Sequence, residues 1–518
     1  MRSDFGAKTA LLSLATLLSR LLGLVREQLF GATLGAGVQS DAFLIAFRIP
    51  NLLRDLFAEG ALSAAFIPAY ARADTESAER GFALARRLFT LLALVLSFVC
   101  SLGIVLAPWI VNVLAPGYGA MEGKTDLTIS LTRVMMPILP FISFAAVSMG
   151  MLNSRDKFGL AALAPALYNV VNIVVAVGMY LLGLPKDQVA YGWALGALIG
   201  SLAQFLIQWP GLRREGFSFR PDFDFKDPFI RNILMTMGPA TIALAAVQIN
   251  VVITSRYVST EPSAVSWLNF AFRLLYLPMG LFGVAVGSVA GARLSRQIAE
   301  GGSNEAHAQM AQALRLLLFL TLPSALGLIC AGPAIVRLIY EHGAFKSSDT
   351  VAVATALGYM AIGLVAYAST KVFVPYFYAT GRPRVPLVAS LLAVCANLLT
   401  LRLLFDSIGF LAGGLGMALG NLSNGGFLLS MYRGPESLLR KIDVRFLASL
   451  LTASAGMSAV VLLSLSLVGQ GGDGWGPKMV GALVPVTLGA AAYLGLAALL
   501  KVPEATRVLG LVRQRVAR

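Results

Sequence analysis

Charged side chains are scarce in this sequence: Asp, Glu, Lys and Arg make up 13% of its 518 residues, against about 25% in ordinary soluble domains. That scarcity excludes a string of water-exposed globular domains. Histidine is nearly missing. His307 and His342 are the only two, both near loops, so a zinc centre or a histidine-based catalytic site is poorly supported. The three cysteines, Cys100, Cys330 and Cys395, each sit inside an apolar run without metal-like spacing. They cannot all pair, and they read as reduced filler. No Walker-type phosphate loop, G-x-S-x-G elbow or zinc motif occurs. No cofactor, no enzyme activity and no ATP hydrolysis by this chain is therefore expected.

Apolar residues are abundant, at 57%, and the mean hydropathy is +0.76. A bilayer core about 30 Å thick needs roughly 20 apolar residues per helix. By that ruler fourteen spans are expected, at 8–34, 40–71, 87–114, 127–152, 160–184, 189–209, 230–256, 263–292, 312–340, 350–379, 387–405, 410–432, 446–468 and 479–500. The first follows Arg2 and Lys8 as a signal sequence does, but lacks a convincing small-residue cleavage site and reads as retained.

The net charge of +15 comes from 41 basic and 26 acidic residues. Because the basic residues are scattered between hydrophobic stretches, they describe membrane topology and no nucleic-acid partner. Alternate inter-span segments hold 25 Lys and Arg on one side and 5 on the other, the five being Lys124, Lys186, Arg256, Lys346 and Lys478. The positive-inside rule then places both termini in the cytoplasm.

The chain also repeats itself. A shift of 225 residues lays Ala46-Phe47-Arg48-Ile49 on Ala271-Phe272-Arg273-Leu274, Pro108 on Pro333, Ser63 on Ser288 and Asn172 on Asn397. That length is about six spans, so the repeat keeps its orientation. The expected architecture is an all-α membrane protein with two parallel six-helix lobes, residues 1–220 and 221–435. Two further helices and a cytoplasmic tail occupy 436–518.

Eleven basic residues fall within or at the ends of spans. Arg231, Arg315 and Arg402 lie near span ends and can snorkel to an interface. Arg20, Arg48, Arg54 and Arg273 have apolar sequence on both sides. Facing lipid at mid-depth, these four with Arg26 would cost roughly 12–18 kcal/mol, at about 2.5–3.5 kcal/mol each. They are expected to line water or to meet anions. Asp41, Arg48, Asp55 and Glu59 fall within about 40° on one helix face, and Pro50 is positioned to bend that helix beside them. Three carboxylates (Asp41, Asp55, Glu59) against five arginines leave two positive charges over. Guanidinium forks suit the oxygens of a phosphate-bearing ligand; purely structural ion pairing is the alternative.

From Ser40-Asp41-Ala42-Phe43 through Arg48-Ile49-Pro50-Asn51-Leu52-Leu53-Arg54 to Phe57-Ala58-Glu59-Gly60-Ala61 and Phe66-Ile67-Pro68, the sequence closely resembles the MurJ (MviN) family. Ser19-Arg20-Leu21-Leu22-Gly23 with Arg26, Val265-Ser266-Trp267 leading to Arg273, and Lys371-Val372 with Pro375-Tyr376-Phe377-Tyr378-Ala379 support it. These are bacterial lipid II flippases of the multidrug/oligosaccharidyl-lipid/polysaccharide exporter superfamily. The resemblance implies a multi-pass inner-membrane protein that moves lipid II, an undecaprenyl-diphosphate-linked disaccharide-pentapeptide, from the cytoplasmic to the periplasmic leaflet.

It also implies substrate-binding roles for Arg20, Arg26, Arg48, Arg54 and Arg273, gating or charge-partner roles for Asp41 and Glu59, and a hydrophobic groove for the polyprenyl tail formed by the last two helices with the second lobe. Relatives can place an acidic residue beside the arginine at 273, where this chain has Phe272 and Tyr276. The second lobe offers Asn397, Thr400 and Asn421 but no mid-span carboxylate, so no sodium site is assigned. A flippase for another polyprenyl-diphosphate oligosaccharide, or a cation-coupled drug exporter, are the alternatives. Complementation of lipid II flippase depletion separates the first alternative, and the basic surplus argues against the second.

Overall fold

The computed structural model describes residues 2–54, 61–228, 230–231, 235, 248–300, 302–432, 443–469, 472–507 and 510. Its regular elements are helical. The first part runs α1 (Arg2–Leu34), α2 (Val38–Arg54), α3 (Ala61–Glu76), α4 (Ala78–Val105), α5 (Ala107–Leu114), α6 (Lys124–Met135), α7 (Ile138–Ser154), α8 (Phe158–Leu181), α9 (Lys186–Leu206) and α10 (Trp209–Arg214). Residues 248–258 are also helical. There follow α11 (Ala264–Pro278), a π-helical turn (Met279–Val284), α12 (Ala285–Ala299), α13 (Ser303–Tyr340), α14 (Ser347–Ala361), α15 (Leu364–Ala379), α16 (Arg384–Ile408), α17 (Leu411–Met431), α18 (Val444–Val468) and α19 (Trp475–Leu499).

Among the described residues nine helices are long and apolar enough to cross a membrane, or ten if one bent pair counts as a span. Every expected span but the seventh coincides with a helix or a helix pair; most of the seventh lies outside the described residues. The expected second span is covered by α2 and α3, of 17 and 16 residues. The tenth is the bent pair α14 and α15, which meet at 46°. A Cβ at Gly363, in that bend, would stand 2.7 Å from the α-carbon of Ala418, so the bend brings two backbones together at a distance that only glycine permits.

Local chemistry sets many of the ends. Asp443 caps α18 by accepting from the Phe446 N–H at 2.6 Å, and Ser77 caps α4 by accepting from the Arg80 N–H at 3.1 Å; each satisfies a donor the first turn leaves open. Pro108 starts α5 just after α4 ends, where its missing N–H costs nothing. Pro278 precedes the π turn that interrupts α11 and α12, a common seat of helix kinks.

The chain folds as two compact units, residues 1–266 with 342–345, and residues 267–341 with 346–518. In the first unit α1 packs on α8 and α9, and α2 on α6, α7 and α9. In the second, α18 and α19 pack on α13 through a core that includes Phe319, Phe446, Leu450, Met457, Tyr493 and Ala497. The Tyr493 hydroxyl donates to the Phe319 carbonyl at 2.6 Å. Val502 and Ala505, just beyond α19, belong to the same core.

Two glycine turns close the first unit reciprocally. Ala344 N–H donates to the Ala32 carbonyl at 2.8 Å. Its neighbour Gly343 has φ +60°, and a Cβ there would stand 2.3 Å from that same oxygen. Gly35 has φ +71° and would meet the Ala344 oxygen at 2.5 Å. At the equivalent place Gly117 donates to the Ser259 hydroxyl at 3.3 Å and leaves no room for a Cβ against the Ser259 backbone. The 225-residue shift lays Gly117 on His342 and Leu34 on Ser259, one residue before Gly343 and Gly35, so the contacts fall in corresponding turns without matching residue for residue. Gly343→Ala should lower stability by about 1–2 kcal/mol through the left-handed backbone alone, with more from the clash. Thermal unfolding of the purified variant checks this, and an unchanged midpoint would contradict it.

Candidate functional site

The centre of the first unit is Asp41, in the first turn of α2. Its side chain and that of Lys124, the first residue of α6, are both 0% exposed, and the Lys124 ammonium contacts Asp41 Oδ2 at 2.7 Å. Oδ2 also accepts from the Ser263 N–H at 3.0 Å. Oδ1 accepts from the Ser266 N–H at 2.8 Å and from the Ser266 hydroxyl. Gly123, with φ +68°, turns the chain into α6 and presents Lys124 inward. The ammonium lies 4.0 Å from the centre of the Tyr118 ring, whose hydroxyl donates to the Asp41 carbonyl at 3.1 Å. An ionised carboxylate persists without water only when its lone pairs are met this way. Asp41 thus ties α2, α6 and the first turn of α11 together.

The 225-residue shift lays Asp41 on Ser266 and Lys124 on Asp349. In the second unit Asp349 is buried, accepts from Trp267 Nε1 at 2.9 Å, and caps α14 through the Lys346 N–H at 3.0 Å. Equivalent positions carry polar groups in both units, and at these positions, among the described residues, the ion pair is in the first.

The arginines expected to bind substrate are placed as follows. Arg20 and Arg26 are both on α1, about 120° apart around the helix. Arg20 is exposed, whereas Arg26 is half-buried, 2.8 Å from Glu27 and 5.7 Å from the Tyr168 ring centre on α8. Arg48, half-buried on α2, donates to the Ser255 hydroxyl, which in turn donates to the Val251 carbonyl at 2.6 Å. Arg54 is half-buried at the last position of α2. Arg273 is exposed on α11 and belongs to the second unit. Glu59 and Asp55 lie outside the described residues.

Sequence reasoning missed two charges of this neighbourhood. Lys124 follows a short polar break, which makes it look like a loop charge; only the fold turns it inward. Glu27 sits next to Arg26 and escaped because helix-face arithmetic looks three and four residues away. Adding one cation and one carboxylate leaves the surplus of arginine charge at two. Among the described residues no group of His, Cys, Asp and Glu could hold a metal ion. Asn397 is fully buried, and the Thr400 hydroxyl donates to the Ala396 carbonyl at 2.7 Å within α16.

The second unit holds an apolar cavity of about 460 Å³. Phe319, Pro323 and Gly327 of α13, Met457 of α18, and Gly489 and Tyr493 of α19 are among its walls. It runs along the helices that lie outside the repeat.

A family model described as lipid II flippase MurJ matches residues 30–475. The chain is 32% identical over 510 residues to a Vibrio cholerae serotype O1 protein named probable lipid II flippase MurJ, covering 95% of each. It resembles a solved structure of lipid II flippase MurJ in an inward closed conformation, with a TM-score of 0.77 and 25% identity over 95% of this chain and 98% of that one. An inward-facing multidrug resistance transporter of the MATE family, in the MOP superfamily, shares the fold at a TM-score of 0.64 and 16% identity, over 79% and 93% of the two chains.

The buried pair yields a direct test. Removing one partner of a buried ion pair costs about 3–5 kcal/mol, so Asp41→Ala and Lys124→Ala should each lower unfolding stability by that order. The reversed double variant Asp41→Lys/Lys124→Asp should not recover it, since the reversed charge at position 41 faces the Ser263 and Ser266 donors. Recovery to the parent midpoint would show that the pair alone matters.

Proposed function

This chain belongs to the lipid II flippase MurJ family, and from that premise we propose that it carries lipid II from the cytoplasmic to the periplasmic leaflet by alternating access, with both termini in the cytoplasm. It is a multi-pass membrane transporter whose substrate is lipid II, not an enzyme. The proposed site is the inner membrane of a bacterial cell, and the 25-to-5 bias of basic residues supports the orientation.

The observation that carries the mechanism is that by sequence the arginines of α1 and α2, which both pack against α9, outnumber the carboxylates of those helices, with Glu27 meeting Arg26 and Asp41 matched by Lys124. A diphosphate supplies the missing negative charge and accepts from several forks at once. Arg20, Arg26, Arg48 and Arg54 are the first unit's candidates for diphosphate contact, and Arg273 is the second unit's. Asp41 acts as a gate: the bonds from Ser263 and Ser266 hold the first turn of α11, and their release frees it. Glu59 is assigned to the same set by its place in the family word. The apolar cavity against α18 and α19 is assigned to the polyprenyl tail, whose isoprene units match its lining. No covalent step is involved, so the protein's work is to neutralise the headgroup and keep the tail in an apolar phase.

Losing one charge-assisted contact to the diphosphate should reduce flipping about tenfold or more. Arg54→Ala and Arg273→Ala, reconstituted in vesicles with labelled lipid II, measure it by the label that becomes accessible outside. Full-rate flipping by a folded variant would remove that residue from the site. Gly327 lines the apolar cavity with space around it, its nearest neighbour standing 4.0 Å from a Cβ placed there. Gly327→Leu should therefore slow flipping of lipid II while leaving the thermal midpoint in place, and an unaffected rate would unseat the tail assignment.

A further inference from the structure

A second cavity, of about 360 Å³, opens in the second unit where α13 finishes and α14 and α19 begin. Arg337, Glu341, Thr350, Asp473 and Lys478 line it together with apolar side chains such as Val351 and Leu465. Glu341 is its hub. Oε1 accepts from Arg337 Nε at 3.1 Å and lies 3.6 Å from the Lys478 ammonium, while Oε2 accepts from the Thr350 hydroxyl at 2.6 Å. The ammonium also donates to the Glu341 main-chain carbonyl. One inner carboxylate therefore serves two cations.

The remaining carboxylate, Asp473, lies 3.3 Å from Arg337 Nη2, but its side chain is 97% exposed, whereas that of Lys478 is 5% exposed. Water screens an exposed pair of this kind and leaves it weak. A purely structural clasp needs no open volume beside its charges, yet here a cavity adjoins an inner surplus of one positive charge. Its depth in the membrane follows from its neighbours. It sits at the ends of three membrane-crossing helices, and Trp475, exposed at the first position of α19, is the residue type that gathers at the headgroup level. Leu463, Leu467, Met479 and Leu483 present exposed apolar side chains from α18 and α19.

We propose that this cavity binds the phosphodiester of an anionic membrane phospholipid. Arg337 and Lys478 contact the phosphate, Asp473 yields its place on Arg337 and turns into water, and the acyl chains lie against the apolar faces of α18 and α19. The phosphate chemistry is that of any phosphate monoanion, but the apolar flank and the interfacial depth commit the site to a lipid. This inference stands apart from the transport site.

Native mass spectrometry of the purified full-length protein, titrated separately with phosphatidylglycerol, phosphatidylethanolamine and inorganic phosphate, tests it. Phosphatidylglycerol should bind most tightly. Arg337→Gln, which keeps a donor near Glu341, should weaken it about tenfold. Asp473→Asn alters an exposed side chain and should strengthen it about threefold by removing the competing carboxylate. Unmoved phosphatidylglycerol binding in both variants would overturn the proposal. So would phosphatidylethanolamine binding as tightly and weakening in Asp473→Asn, which marks a zwitterion site, or inorganic phosphate displacing the lipid at equal concentration, which marks a free-anion site. If Arg337→Gln fails to fold, Asp473→Asn decides alone.

Discussion

A carboxylate taken entirely out of water is the constraint around which the first unit is organised. Asp41 has no exposure, and its stability as an anion depends on Lys124, two main-chain N–H groups and one hydroxyl meeting its two oxygens. Those donors come from two separate parts of the chain, so together with Asp41 itself the ion holds α2, α6 and the start of α11 in register. Loss of any of them leaves charge in a low-dielectric interior, where it is most expensive.

Around that ion the chain uses its repeat twice over. The Gly117 turn seats against Ser259, and the Gly343 turn against Ala32, in turns that the 225-residue shift brings to within two residues of each other. Both contacts demand glycine, because a Cβ would enter a neighbouring carbonyl. The side chains at matched positions have diverged, since Asp41 and Lys124 correspond to Ser266 and Asp349 under the shift. One copy holds a buried ion pair and the other a capped helix. The two units accordingly differ in chemistry, with guanidinium groups on α1 and α2 of the first and an apolar cavity in the second.

The two cavities of the second unit have opposite linings. One has walls of Phe319, Met457 and Tyr493, and the other presents Arg337 and Lys478 over Glu341. On α18 they are only one turn apart, at Val461 and Leu465. Apolar and charged surfaces sit this close because both are lined by α13, α18 and α19, the charged one where α13 and α18 end and α19 begins.

Composition and hydropathy determined that this chain lives in a membrane as a helical bundle, since only helices or closed barrels satisfy the backbone there. Spacing alone revealed the 225-residue offset and singled out the arginines inside apolar runs, and the word from Ser40 to Pro68 carried the family. What it could not determine was pairing. Lys124 looked like a loop charge and Glu27 like an ordinary neighbour of Arg26, yet the first is buried on Asp41 and the second lies 2.8 Å from Arg26. The cluster of Arg337, Glu341 and Lys478 joins residues 137 positions apart. The energy of a charge depends on who stands within a few ångströms of it, and for residues distant in sequence that is decided only when helices pack.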